Sequence, residues 1–414
     1  MSYRAADSHS GTRMTSVERR AIACLAGVSG LRMLGLFIVL PVLALHASTL
    51  PGGADATMIG LAMGAYGLAQ AVLQVPFGWA SDRWGRKPAI AAGLVVFALG
   101  SFASAWAPTV AWLVAGRTLQ GAGAVSAAVM ALAADLTRDD VRTRAMAAIG
   151  VTIGATFAVS LVGGPPLAGA IGVPGIFVLT GVLAAAAILV VAYGVPAEAA
   201  RADARNDERN DARPLRAVLM NPQLLRLDFG IFALHAILMA LFVETPFALR
   251  DAGVPAERHW QVYLPVLLLA VAVVLPLFRA VDRPGRGKSI LTAAIATLAV
   301  ALLILAWGHG SLVPIVAGLF VFFGAFTLLE ASLPSMVSRF APRASRGAAI
   351  GVFSAAQYLG MFAGGALGGW LLKVAGPAAV YGFGAAIAIV WLVAGATMAQ
   401  PPAAAQTPFS MGRT

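Results

Sequence analysis

The sequence predicts an all-α integral membrane protein, with twelve transmembrane helices in two pseudo-symmetric six-helix bundles. Three observations carry this. Of 414 residues, 59% are hydrophobic and only 11% charged, where a soluble domain is about one quarter charged; the mean hydropathy is +0.84. Twelve windows reach the length of about 20 apolar residues that a helix needs to cross the hydrocarbon. Two stretches of the first half of the chain return in the second at nearly one offset.

A tail, 1–20, precedes six windows at 21–46, 58–80, 88–107, 110–134, 145–168 and 174–195. The tail carries acids and leads into an apolar run too long for a signal-peptide core, so the first span is expected to be retained. From Pro196 to Arg216, PAEAARADARNDERNDARPLR sets five Arg against five acids and has no apolar face until Leu215. It reads as a solvated linker, 196–221, between halves of 21–195 and 222–398. Asn221 before Pro222 supplies an N-cap and a first-turn proline for the seventh span. Further windows fall at 223–249, 260–280, 289–308, 311–336, 347–372 and 377–398, ahead of a tail at 399–414.

With both termini cytoplasmic in an inner-membrane protein, inside segments hold 24 of the 29 Lys and Arg residues, and outside loops hold only Arg250, Arg258 and Lys373. That is the bias of the positive-inside rule. Topology thus accounts for a net charge of +11. A nucleic-acid partner, which needs basic residues gathered on one soluble face, is not indicated. The one cysteine, Cys24, leaves no intrachain disulfide and no metal-ligand set.

DRWGR at 82–86 recurs as DRPGR at 282–286, an offset of 200. At an offset of 201, Arg138, Arg142 and AAIGV at 147–151 correspond to Arg339, Arg343 and AAIGV at 348–352. Each match joins equivalent spans of the two halves, as in transporters built from repeats. The first match also holds the charge cluster GWASDRWGRKP at 78–88. The second span ends there on the inside, at the negative end of its helix, which suits Arg83, Arg86 and Lys87 but not Asp82. Asp82 is therefore expected to meet another helix's N-terminus or a cation, the best candidate being the eleventh span, which begins near Gly347. Asp135 has the same problem at the end of the fourth span. Gly78 permits close helix approach and Gly85 a tight turn.

GxxxDRxGRK after the second span, LVAGRTLQGAGA at 113–124, SLVGGPPLAG at 160–169 and LRMLGLFIVLPVLALHA at 31–47 together resemble the major facilitator superfamily, in its drug:proton antiporter type and YajR-like branch. The resemblance covers the whole chain. It departs at Ala80, where the loop motif often has Leu, and at Ala168, which precedes Gly169 in place of a second paired glycine. The resemblance implies that Asp82 and the eleventh span latch the cytoplasmic side shut and that Arg86 pairs with Asp135. It also implies that Gly164, Pro165 and Gly169 form an antiporter motif and that Arg117 takes part in proton coupling. Some members of the branch carry a soluble C-terminal domain; none is expected after TMAQPP.

An ionisable residue at mid-span costs at least ~2.5 kcal/mol by insertion scales, so it normally faces the bundle interior and marks a pathway or relay. Arg32 lies near the midplane of the first span and Arg117 a third of the way into the fourth. The seventh holds His235 and Glu244, and the tenth holds Glu330, the strongest proton-site candidate, with a structural acid neutralised by a local hydrogen bond as the alternative. His235 and Glu330 differ in depth by only ~8 Å at the helical rise, so they suit a relay, with a lone satisfied histidine as the alternative. Glu244, ~14 Å farther out, is either a relay member or a rim charge. Arg32 and Arg117 either bind substrate anions, brace the first half or act on a neighbouring acid. Tyr66, Gln70 and Gln74, like Thr152, Thr156 and Ser160, share one helix face and mark either cavity walls or helix-to-helix hydrogen bonds. Phe322, Phe323 and Phe326 with Met239 and Phe242 read as an apolar drug pocket.

RPGRGKS at 283–289 resembles the end of a phosphate-binding loop, but Asp282 stands where GxxxxGK[ST] needs Gly, so ATP is not implied. With neither HExxH nor GxSxG present, an enzyme is not expected. The sequence points to a secondary transporter that exports small, lipophilic compounds in exchange for protons by alternating access. Its partners are then the substrate, protons and the bilayer, with no cofactor beyond the proton gradient and a monomer as the working form. Proton-coupled metabolite uptake is the alternative. A non-transporting sensor or scaffold is more distant, because it has no reason to bear the insertion cost of buried charge.

Overall fold

The computed structural model describes residues 14–196, 213–281, 286–342 and 345–400. Most of both tails and of the linker, together with Asp282 and Arg343, lie outside the described residues. All regular structure among the described residues is helical.

The first crossing is broken. Helix α1 (Ser16–Phe37) opens on a capping box in which Thr15 and Glu18 satisfy each other's backbone N–H groups. It ends where Pro41, at the start of α2 (Leu40–Thr49), has no N–H to offer the Phe37 carbonyl. Helix α3 (Ala56–Trp84) and α4 (Arg86–Ala105) meet at Gly85, whose φ of 100° requires glycine. The fourth crossing is split into α5 (Val110–Ala122) and α6 (Ser126–Asp135). Helix α7 (Asp139–Leu189) holds the fifth and sixth crossings, divided at Gly172 (φ 72°, ψ 164°) ahead of Pro174, and ends in a π turn, Val190–Gly194.

After the short α8 (Arg213–Leu219) comes α9 (Pro222–Asp251), capped as expected by Asn221, whose side chain accepts from Gln223 N at 2.9 Å. A 3₁₀ turn (Ala256–Arg258) leads to α10 (Trp260–Val281), followed by α11 (Gly287–Gly308), α12 (Leu312–Phe340), α13 (Arg346–Ala375) and α14 (Pro377–Ala396). Ten stretches among the described residues are long and apolar enough to cross a membrane. One of them, Asp140–Gly194, spans the Gly172 break and makes two crossings. Helices α5 and α6 together supply one more, giving twelve.

In the first half α7 packs on α1 and α4, and α5 on α3 and α4; in the second, α9 packs on α13 and α14, and α12 on α10 and α11. The halves meet where α3 lies on α13, α7 on α10 and α2 on α9. A two-fold that exchanges the halves swaps the second span with the eighth and the fifth with the eleventh. The α3–α13 and α7–α10 contacts are thus one contact made twice.

Helices α3 and α13 touch through glycine. A Cβ on Gly67 would lie 2.6 Å from the Tyr358 carbonyl oxygen, one on Gly64 2.8 Å from that of Phe362, and one on Gly369 2.8 Å from the Gly60 Cα. Beyond this seam the Lys373 Nζ meets the Asp55 Oδ2 at 2.9 Å. The other end of the same helices, on the basic face that carries the α3–α4 turn, is apart: a Cβ on Gly347 or Gly351 would find no heavy atom within 4 Å. The molecule is closed at the face opposite the basic one and open at the basic face.

Candidate functional site

Two polar clusters lie at mid-depth, one in each half. In the first, Arg32 of α1 is 3% exposed. It donates to the hydroxyls of Tyr66 (3.1 Å), Tyr358 (3.4 Å) and Ser126, from α3, α13 and α6. Arg117 lies over the Tyr66 ring, 5.1 Å from its centroid, and donates to Gln120, which in turn donates to Ser101 at 2.8 Å. Neither guanidinium has a carboxylate in salt-bridge range, and the Nε of each has no partner among the described residues. Hydroxyls and a ring face balance both charges, and one of those hydroxyls belongs to the other half.

In the second cluster His235 of α9 places Nδ1 3.2 Å from the Ile231 carbonyl and Nε2 2.8 Å from the Gln357 amide nitrogen of α13. A donating amide assigns the lone pair to Nε2 and the proton to Nδ1, a neutral imidazole. The Glu330 Oε2 of α12 is 3.8 Å from that Nε2 and has no hydrogen-bond partner, although the Glu330 side chain is 38% exposed. The depth match read from the sequence thus corresponds to a real contact. Gln357 and Tyr358 are consecutive, so one turn of α13 touches both clusters. Sequence reading passed over both residues, because they sit in an otherwise apolar window.

It also passed over Asp228, which is 7% exposed and has an Oδ2 without a partner. Seven residues before His235, it shares that residue's face about two turns nearer the basic face. The signal was available: an acid inside an apolar span. Glu244 is 3% exposed, so it is not a rim charge. Nine residues, two and a half turns, separate it from His235, which puts it on the other side of α9 and apart from the His235–Glu330 pair.

The expected walls divide. Gln70 and Gln74 are buried and keep unpartnered amide atoms. Thr152 and Thr156 bond back to their own helix, at 2.9 and 2.7 Å, and lie against Gly30 of α1, which is a helix contact. Ser160 is buried without a partner. Phe157 of α7 stacks on Phe326 at 5.7 Å and meets Phe37 edge-on at 5.0 Å, while Phe326 stacks on Phe322 at 5.8 Å. Phe323, Phe242 and Met239 are buried around them. These rings form a packed apolar block spanning the two halves.

At the basic face Arg86 holds both acids, Asp82 at 2.6 Å and Asp135 at 3.2 Å. Lys87 donates to the Val195 carbonyl at 2.6 Å and Arg83 lies over Trp79, 5.4 Å from its ring centroid. The expected contact of Asp82 with the start of α13 is not made: the Asp82 side chain is 55% exposed and Gly347 stands clear. The halves are splayed at that face, so Asp82 turns to the Arg86 cation instead. Gly78 has room, with Ala127 4.0 Å from a Cβ position. Gly164 is pressed on the Ile38 carbonyl at the α1–α2 break, with Pro165 next to it, and a Cβ on Gly169 would lie 3.0 Å from the Cβ of Glu257 in the other half.

Polar clusters shared between two six-helix halves, closed at one face and open at the other, are the build of a membrane transporter. The Major Facilitator Superfamily model matches residues 25–278 and 259–412. The chain is 43% identical to the inner membrane transport protein YajR of Escherichia coli (strain K12) over 391 residues, 94% of this chain and 86% of that one. It is 28% identical to the class G tetracycline resistance protein of Vibrio anguillarum over 239 residues, 57% of each. Among solved structures, a D-xylose–proton symporter superposes with a TM-score of 0.72 at 16% identity, covering 93% of this chain and 98% of that one, a likeness of fold. The chain belongs to the major facilitator superfamily and is a multi-pass membrane transporter.

Proposed function

We propose that this transporter exports small, lipophilic compounds across the inner membrane in exchange for protons, with its basic face and both termini in the cytoplasm. The observation that carries the reading is the unpartnered Glu330 carboxyl 3.8 Å from a neutral His235. Exchange needs a group that holds either a proton or the influence of a substrate, but not both. The carboxyl takes its proton from water, passes it within the pair and returns it to water when the other face opens. Phe326, Met239, Tyr66, Gln70 and Gln74 supply the surroundings of an apolar substrate with polar edges. Arg32 and Arg117 hold the first half's polar cluster, and its tie to Tyr358 brings a substrate's effect to α13 and thence through Gln357 to His235.

The halves rock about this centre. Asp82, Arg83, Arg86, Lys87 and Asp135, with Gly78 and Gly85, re-form the closed basic face when the seam opposite opens, and Gly164, Pro165 and Gly169 keep the fifth span close to its neighbours meanwhile. The names of the two relatives, an inner membrane transport protein and a tetracycline resistance protein, support the location and the direction. The test uses inside-out vesicles with an acid lumen and a pH-sensitive dye. Adding ethidium or tetracycline should release lumenal protons, and silence across a broad panel of compounds overturns the reading. Glu330→Gln should lower that release at least tenfold in a protein that still folds; unaltered coupling removes Glu330 from the mechanism.

A further inference from the structure

The end of α9 nearest the closed face holds a second set of buried polar groups that the His235–Glu330 pair does not use. Glu244 makes no hydrogen bond and no ion pair among the described residues. Beside it, Thr245 Oγ1 lies 3.2 Å from the Tyr381 hydroxyl of α14, and Phe242, two residues before Glu244, packs its ring on Tyr263 of α10 with centroids 6.2 Å apart. Tyr263 is fully buried and its hydroxyl has no partner. His259, also fully buried, meets the Tyr263 ring edge-on at 6.1 Å. Its Nε2 is committed to the Val254 carbonyl at 3.1 Å, which leaves Nδ1 without a partner.

Buried polar atoms without partners are rare, and ordered water is the usual remedy where several converge. Here a phenol and an imidazole nitrogen are buried without protein partners at the end of α9 that carries Glu244, and Glu244 itself is two and a half turns along α9 from His235. We propose that Glu244, Tyr263, Tyr381 and His259 enclose a water-holding chamber that forms a second proton-binding site, independent of His235–Glu330 and serving the face opposite the basic one. There a hydronium gives its proton to the Glu244 carboxylate and becomes water, and the carboxyl later returns the proton to water of the same chamber.

The other charged or titratable groups on the elements packed here are accounted for. Arg250 and Asp251, at the exposed end of α9, pair with each other at 2.8 Å, and Lys373 of α13 is held by Asp55. His46 ends α2, Glu257 and Arg258 lie on the 3₁₀ turn, and Glu330 of α12 stands with His235. The purpose of the site rests on the proton-exchange reading above, but its existence can be tested separately.

The experiment is infrared difference spectroscopy of the full chain in lipid nanodiscs, between acid and alkaline buffer, in H₂O and in D₂O. A band of protonated carboxyl should vanish in Glu244→Gln, persist in Glu330→Gln at an unchanged titration midpoint, and shift in D₂O. Tyr263→Phe should move its midpoint by a several-fold change in proton affinity. Any of three results overturns the site: no band lost in Glu244→Gln, no D₂O shift in the wild type, or a midpoint that follows Glu330→Gln. If the Glu244 band titrates while Glu330→Gln removes nothing, this site stands and the Glu330 assignment fails.

Discussion

Helices α3 and α13 meet twice over their length, and the two ends are built from opposite materials. At the closed end Gly60, Gly64 and Gly67 lie backbone to backbone on Gly365, Gly369 and the carbonyls of Tyr358 and Phe362. At the basic end α3 carries Asp82 and Arg83, with Arg86 just past it at the start of α4, while Gly347 of α13 stands clear of any neighbour. The first end is closed where side chains are absent; the second is lined with charge. The seam is therefore held by shape within the low-dielectric interior, where a buried charged latch would be costly, and its ion pair, Lys373 with Asp55, sits at the exposed end. The other carries its charges where water and salt can reach them.

The comparison is broken most directly at the seam. In Gly365→Leu the new side chain meets the Gly60 carbonyl at 2.6 Å and the Gly64 nitrogen at 2.8 Å, backbone atoms that cannot step aside. Overpacking of this kind costs about 1–3 kcal/mol, so the closed-to-open ratio at this face should fall roughly 5- to 150-fold. Spin labels at Ala54 and Gly376 should report longer distances, with transport lost in step. Unchanged distances would mean that the seam does not set the closure.

A smaller effect is expected at the other end. Asp82→Asn leaves Arg86 only Asp135 to pair with in the structure described here and weakens the state in which the basic face closes, by about 0.3–1 kcal/mol if Asp82 then meets the α13 N-terminus. A cysteine placed at Thr156 should be alkylated about two- to five-fold faster from that side. Equal rates would leave Arg86 as the sole partner of Asp82.

The smallest effect concerns pH at the closed face. The Lys373 ammonium holds the Asp55 carboxyl below its ordinary range. A lowered value means that the pair is intact above it and is lost only as pH falls through it, on the acid side of the ordinary carboxylate range. The Ala54–Gly376 distance should therefore be flat across neutral pH in the wild type, and nearly unchanged there in Asp55→Asn. A transition near neutrality that persists in Asp55→Asn belongs to a group other than this pair.

Much of this was legible in the sequence because period and length are local quantities. The twelve crossings, the Asn221 cap and the turn at Gly85 follow from apolar run lengths and from residue chemistry at single positions. The approach of His235 to Glu330 followed from counting rise along two helices, and Arg86 with Asp135 from the motif resemblance. What stayed hidden depends on neighbours distant in sequence. Tyr358 and Gln357 look like stray polar letters until α13 is laid between α1 and α9. The missing Asp82 contact depends on which face is open, and one sequence serves both states. The break before Pro41 was readable in principle, because a proline four residues past Phe37 removes that carbonyl's donor. The joint at Gly123 was less so, since two short helices in line have the apolar length of one.

Helix α13 carries glycine on two sides. Gly365 and Gly369 face α3, while Gly360 and Gly364 press on the Phe232 and Ala236 carbonyls of α9. The two rows look alike, yet in the proposed exchange the first is the one that peels and the second the one that holds. Peeling is easy for a joint without directional bonds, because parting leaves no donor or acceptor stranded and lipid or water restores the lost contact. Holding is provided by the rest of α9, buried along nearly its whole length. The result is a membrane analogue of a releasable adhesive strip, with one side permanently bonded and the other made to come away clean.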